Sequence, residues 1–185
     1  MEPEVANKIK SVSEAVKLIP NGAQVALGGW VINRCVTALA HEMIRQRKRD
    51  LTITQQIGAM DGDLLVGAGC AKRYIYGGGS LEPVFGPLSR IHEAIINREI
   101  EVEEYSGTSM CFKYLAGALG IPYIPMKALL GSDILTLLSA GSADIKVDEC
   151  PFTKEKLVLL RALNPDIALV HAQRVDTEGN VCIYG

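Results

Sequence analysis

A chain of 185 residues with 48% hydrophobic and 22% charged residues is long enough to bury one core and too apolar to stay disordered. Its 19 Lys and Arg against 21 Asp and Glu leave a formal net charge of −2, so no net field would draw in a polyanion, and a nucleic-acid partner is disfavoured. No apolar run reaches the ~18–20 residues of a membrane span, and Met1 to Lys10 carries Glu2, Glu4 and two lysines where a secretory signal would be apolar.

Ser11-Val-Ser-Glu14 has the spacing of a capping box, and Val12, Ala15, Val16 and Ile19 follow at helical intervals, so a first amphipathic helix is expected up to the turn Pro20-Asn21-Gly22. Gln24 to Gly29 reads as a short buried strand ending in two glycines, where backbone can approach a neighbour or a ligand closely. Val36, Leu39, Ala40, Met43 and Ile44 restore the helical period. The basic run Arg45 to Arg49 then sits at that helix's C-terminus, where it opposes the dipole as a solvated end. Leu51 to Thr54 is a second strand. After a Gly-rich passage, Arg73 to Tyr76 is a third, ending at Gly77-Gly78-Gly79. A helix around Ile91 to Arg98, an acidic strand Ile100 to Glu104, and a helix carrying Leu115, Ala116 and Leu119 come next. Gly131 to Thr153 reads as irregular surface structure, and Pro165 to Val170 as a strand buried on both faces. Strands alternating with helices predict an α/β fold, layered around an open, mostly parallel sheet flanked by helices, in a single domain over residues 1–185. Ligands of such sheets bind beyond the carboxyl ends of strands, where Gly28-Gly29 and Gly77 to Gly79 fall.

Local motifs name no reaction. His41-Glu-Met-Ile-Arg45 lacks the second histidine of a zinc-protease helix, and no metal is expected. Gly67-Ala-Gly69 lacks the third glycine of a dinucleotide fingerprint, with Lys72 in its place, and reads as a tight bend. Neither a phosphate-binding loop nor a nucleophile elbow occurs. Cys35, Cys70, Cys111, Cys150 and Cys182 are odd in number and never form C-x-x-C, so they read as reduced thiols of a cytoplasmic protein. His41 and His92 fall on helices. His171 follows a strand at the ligand-binding edge and is the one histidine placed beside a site.

A resemblance supplies what the motifs do not. Asn21-Gly-Ala-Gln-Val-Ala-Leu-Gly-Gly-Trp30 looks like the opening of family I coenzyme A transferase α subunits. Arg98 to Glu104 followed by Ala116-Gly-Ala-Leu-Gly-Ile-Pro122 resembles their middle. Gly131-Ser-Asp133, Pro151-Phe-Thr153, Ala162 to Asp166, His171 to Asp176 and Glu178-Gly-Asn180 are similar, in order, to the glutaconate CoA-transferase branch. The resemblance implies ping-pong transfer of CoA between carboxylic acids: a glutamate attacks an acyl-CoA and is converted to a glutamyl-CoA thioester, which a second acid displaces. That glutamate is expected in a β-type partner subunit, making a hetero-oligomer with no nucleic acid or membrane involved. Coenzyme A is expected as substrate, with no tightly bound cofactor. The CoA site is expected to be lined by Gly28, Gly29, Trp30, Gln55, Gln56, Gly77, Gly78, Gly79, Ser80, Ser106 and Gly107, with backbone amides at the glycines stabilising the oxyanion.

Within the chain Glu82, Glu104 and Glu178 are the candidate nucleophiles and are disfavoured, Glu178 because Asp176-Thr-Glu-Gly-Asn180 reads as a turn. Ser106-Gly-Thr108 stands where some members have Gln-Gly-Thr, and Gln55-Gln56 where an Asn pair is common. An acyl-CoA hydrolase subunit of the same family and a non-catalytic ligand-sensing module of similar fold remain the alternatives. Glutaconate-type chains run on past the final Gly-Asn, which leaves a C-terminal truncation open.

Overall fold

The computed structural model describes residues 8–81 and 85–184. The chain runs α1 (Val12–Lys17), β1 (Gln24–Leu27), α2 (Thr37–Arg45), β2 (Leu51–Gln55), α3 (Met60–Gly67), β3 (Ala71–Tyr76), α4 (Ser89–Ile96) and β4 (Glu101–Glu104). It continues through α5 (Gly107–Ala118), β5 (Tyr123–Met126), α6 (Asp133–Gly141), β6 (Ile145–Glu149), β7 (Lys156–Arg161), β8 (Ile167–Leu169) and the short pair β9 (Arg174–Val175) and β10 (Val181–Cys182). The expected capping box is present: Ser11 Oγ accepts from the Glu14 amide at 3.3 Å while the Glu14 carboxylate accepts from the Ser11 amide at 2.9 Å.

A five-stranded sheet in the order β4-β3-β2-β1-β8 is parallel throughout, which bears out the expected fold class. Side-chain alternation along β3 explains the layering. Tyr74 and Tyr76 enter one core with Val16 of α1, Met43 of α2, Leu65 of α3 and Ile91 of α4. Ile75, on the other face, enters a second core with Met110 of α5, Leu138 of α6 and Val158 and Leu160 of β7. The parallel sheet thus lies between a layer of four helices and a layer made of α5, α6 and an antiparallel sheet ordered β5-β7-β6.

Three expectations are corrected. Gly131 to Thr153 is not irregular: it holds α6 and β6. Its polar residues are terminators rather than loop filler, since Ser132 Oγ caps α6 by accepting from the Leu135 amide at 3.2 Å and Gly131 turns the chain at φ +76°. β8 is not buried on both faces. It pairs with β1 at the end of the sheet, and Ala168 is exposed between half-buried Ile167 and Leu169. Helix α3 hides in the Gly-rich passage, so Gly67 and Gly69 close a helix, with Gly69 at φ +69°.

A charged cluster joins the two cores. The Tyr105 hydroxyl donates to Glu103 at 2.9 Å, Arg73 pairs with the same carboxylate, and the fully buried Lys113 ammonium lies 3.4 Å from the Tyr105 hydroxyl and 4.5 Å from its ring centre. Burial lowers the Lys113 pKa, more than nearby Asp144 and Glu103 raise it. A lysine with a lowered folded-state pKa loses its proton in the folded chain first. The charged form therefore costs stability below that pKa, and the cost fades as pH climbs towards the unfolded value of about 10.4. Urea midpoints should show the stability difference between wild type and Lys113→Met shifting in favour of wild type between neutral pH and about pH 10. A pH-independent difference would contradict the burial argument.

Candidate functional site

The carboxyl ends of the parallel strands form a continuous backbone shelf. Beyond β2 and β3 the ladder persists, with the Gly77 amide donating to the Gln56 carbonyl at 3.0 Å and the Gly58 amide to the Gly78 carbonyl at 2.7 Å. Beyond β4 the Tyr105 amide donates to the Tyr76 carbonyl at 2.7 Å, which delivers Ser106 and Gly107 to the first turn of α5. The glycines of this shelf do different jobs. A Cβ on Gly77 would sit 2.5 Å from the Gln56 carbonyl oxygen and 2.7 Å from Gly107 Cα; one on Gly79 would sit 2.7 Å from Gly58 Cα. Those two let backbones touch. Gly78 is turned outward at φ +85°, and the nearest atom to its added Cβ is a Glu104 carboxylate oxygen at 3.9 Å. The open face of the triple glycine is therefore Gly78, beside Glu104 and Tyr76. Burial first, and then the Glu104 carboxylate, push the Tyr76 hydroxyl up to about 12, so it stays protonated at neutral pH.

Two expected site residues are placed differently. Gln55 is fully buried and does not face outward: its Nε2 donates to Asp61 Oδ1 at 2.9 Å, and its Oε1 accepts from the Tyr74 hydroxyl at 2.8 Å. Ser106 caps α5, its Oγ accepting from the Ser109 amide at 3.1 Å and lying 2.8 Å from the Ser109 hydroxyl. Gln56, Ser80 and Gly107 stay at the half-buried shelf. Gly28 continues the ladder of β1 and β8, its amide donating to the Leu169 carbonyl at 2.8 Å. Gly29 turns at φ +109° into a loop where Trp30, 48% exposed, exchanges two backbone hydrogen bonds with Asn33. Trp30 and His171 therefore meet beyond β1 and β8, apart from the glycine shelf.

Sequence reasoning missed Asp61, which anchors this edge. Fully buried, it accepts from Gln55 Nε2, from the Gly62 amide at 2.9 Å and from the Val36 amide at 2.9 Å, tying β2 and α3 to the start of α2. Asp63, two residues on, accepts from the Ile91 amide of α4 at 2.9 Å. Two acids in the first turn of a helix were the available signal, had the Gly-rich passage been read as helical. Burial and, after it, Asp61 raise the Cys35 thiol above its ordinary value, so it is not an activated thiolate.

Of the candidate glutamates, Glu82 lies outside the described residues. Glu178 sits in the expected turn, where the Asn180 amide donates to Asp176 Oδ1 at 2.8 Å and Gly179 takes φ +90°. Glu104 is exposed at the end of β4.

A family model described as Coenzyme A transferase matches residues 9–185. One of the two kinds of chain in the 3-oxoadipate CoA-transferase of Pseudomonas knackmussii, its α-type chain, is 35% identical over 96% of this chain and 62% of that protein. The cholesterol ring-cleaving hydrolase IpdA subunit of Rhodococcus jostii is 30% identical over 95% of this chain and 60% of its own length. The crystal structure of glutaconate coenzyme A-transferase from Acidaminococcus fermentans superposes with a TM-score of 0.86 at 27% identity, covering 96% of this chain and 60% of that one. The chain thus spans about three fifths of the length of these relatives.

Proposed function

The chain belongs to the coenzyme A transferase family, and from that premise we propose that it is the α-type part of an enzyme that moves CoA between an acyl-CoA and a carboxylic acid. The carrying observation is the shelf itself. It offers backbone and an outward Gly78 at the carboxyl edge, where an approaching thioester would find peptide groups at close range. On this reading the nucleophile is a glutamate of a β-type partner subunit. Its carboxylate attacks the thioester carbonyl and the CoA thiolate leaves. That thiolate attacks the mixed anhydride to give a glutamyl-CoA thioester and the free acid, and a second acid runs the sequence in reverse. The partner half of the cleft would face Gln56, Gly78, Ser80 and Gly107. Coenzyme A passes through as substrate, with no tightly bound cofactor in the scheme. The reading places the assembly in the cytoplasm, where five free cysteines stay reduced. Among the described residues no helix is long and apolar enough to cross a membrane.

The purified chain alone should transfer no CoA from an acyl-CoA to a carboxylate, and activity should appear on adding the β-type chain. Robust transfer by the single chain would refute the half-site. Hydrolysis is the second reading, favoured by the similarity to a hydrolase subunit. Steady release of free thiol from an acyl-CoA in the absence of any acceptor acid would select it.

A further inference from the structure

The order β4-β3-β2-β1-β8 reverses at β1: the chain leaves β1 towards β2 on one side, and β8 returns to its other side. In parallel sheets a crevice opens beyond the carboxyl ends at such a reversal, because the loops leave the two strands towards opposite faces. Here it is an open cleft of about 440 Å³, lined by Trp30, Asn33 and Arg34 after β1, His171 and Gln173 after β8, and Tyr184.

The wall chemistry is one-sided. No Asp or Glu is among these described lining residues, and Arg34 supplies a permanent cation. His171 Nδ1 lies 3.2 Å from the Cys35 carbonyl, which can only accept, so Nδ1 carries a proton and the ring is oriented. Gln173 acts as a clamp, donating to the Tyr184 carbonyl at 3.1 Å and accepting from the Tyr184 amide at 3.0 Å; this fixes Tyr184. Trp30 and Tyr184, 48% and 51% exposed, present aromatic surface on either side.

The loop that carries Arg34 is held in an unfavourable shape. Val31 and Arg34 both have positive φ, +52° and +58°, which L-residues rarely adopt. The paired Trp30 and Asn33 backbone bonds, the Cys35 thiol donating to the Val31 carbonyl at 3.0 Å and the Val36 amide on Asp61 enforce it. Backbone strain maintained by so many bonds is characteristic of a pre-organised binding loop.

We propose that this cleft grips a carboxylate at the far end of the acid whose CoA is exchanged, with Arg34 the specificity-determining residue, so that the enzyme selects dicarboxylic acids. The proposal rests on the transferase reading for the identity of the cargo and on the chain alone for the binding. A guanidinium matches a planar carboxylate in a two-bond fork, and the aromatic sides suit the short apolar segment that follows. The cleft begins beyond β1 and the glycine shelf beyond β2, one strand spacing of ~5 Å away, which a short dicarboxylic chain can bridge.

Trp30 is the chain's sole tryptophan and lines the cleft, so its fluorescence reports occupancy directly. Glutarate titrated into the purified chain should give a saturable change, with butyrate binding about tenfold or more weaker, the loss expected for one charged contact. Arg34→Gln should abolish that preference. Arg34→Asn should do the same, asparagine being a residue that accepts positive φ and so preserves the loop. Equal responses to the two acids, no response to either, or a preference that survives in folded Arg34 variants would overturn the proposal. Glutarate binding by a chain whose assembled pair moves no CoA would remove the transferase reading and leave the cleft. Transfer whose acid preference ignores Arg34 would do the reverse.

Discussion

Asp61→Ala should cost the fold about 3–5 kcal/mol, because it leaves three buried donors, the Gln55 amide group and the Val36 and Gly62 backbone N–H groups, without their acceptor. For a chain of this size each kcal/mol lowers the melting temperature by roughly 2–4 °C, so a fall of roughly 6–20 °C is expected in a thermal scan. Asp61→Asn retains one acceptor oxygen and turns an NH₂ towards a donor, and should fall between alanine and wild type. The Trp30 to Val36 loop hangs on the same carboxylate, so its amides should also lose protection from hydrogen exchange before the sheet does. A melting temperature within about 2 °C of wild type for Asp61→Ala would show that the network holds nothing together.

Gly77→Ala tests the shelf from the other side. Its Cβ would press on the Gln56 carbonyl and on Gly107, all backbone, so relief requires prying the end of β3 away from β2 and from α5. The expected loss is about 3 kcal/mol or more, at or beyond the top of the range for overpacking because no side chain can rotate aside. Gly78→Val meets open space instead and carries mainly the ~1–2 kcal/mol strain of a side chain at φ +85°. It should fold, and should impair turnover of the assembled enzyme by obstructing the shelf. Denaturation midpoints ranked in the order wild type, Gly78→Val, Gly77→Ala are the expected pattern; the reverse order of the two variants would invalidate the division between contact glycines and the open one.

The parallel sheet was legible because its strands are bounded by strong punctuation. Gly22 precedes β1, Gly28 and Gly29 follow it, Gly77 to Gly79 follow β3, and Val25, Leu27 and Leu51 are apolar at the pattern's period. The antiparallel sheet was not. Tyr123 to Met126 contains Pro125, which reads as a breaker, yet it is tolerated because β5 is an edge strand pairing with β7. In β6 Ile145 is buried while Lys146 to Glu149 are exposed, leaving no alternation to read. The carboxyl edge was located from its glycines, but side-chain direction was not. Gln55 looks like a strand-end amide and is in fact sequestered by Asp61 and Tyr74, partners six and nineteen residues away that one-dimensional spacing does not reveal. Likewise Arg34 and Gln173 come within one cleft only because β8 returns beside β1.

The central claim is that this chain contributes a shelf and a substrate cleft but not the nucleophile. It is tested most directly by incubating the assembled enzyme with acyl-CoA in the absence of acceptor acid and locating the covalent CoA adduct by mass spectrometry of the separated chains. The account predicts the adduct on a glutamate of the β-type partner, with this chain at its unmodified mass. A CoA adduct on Glu104, Glu178 or any other carboxylate of this chain would contradict it.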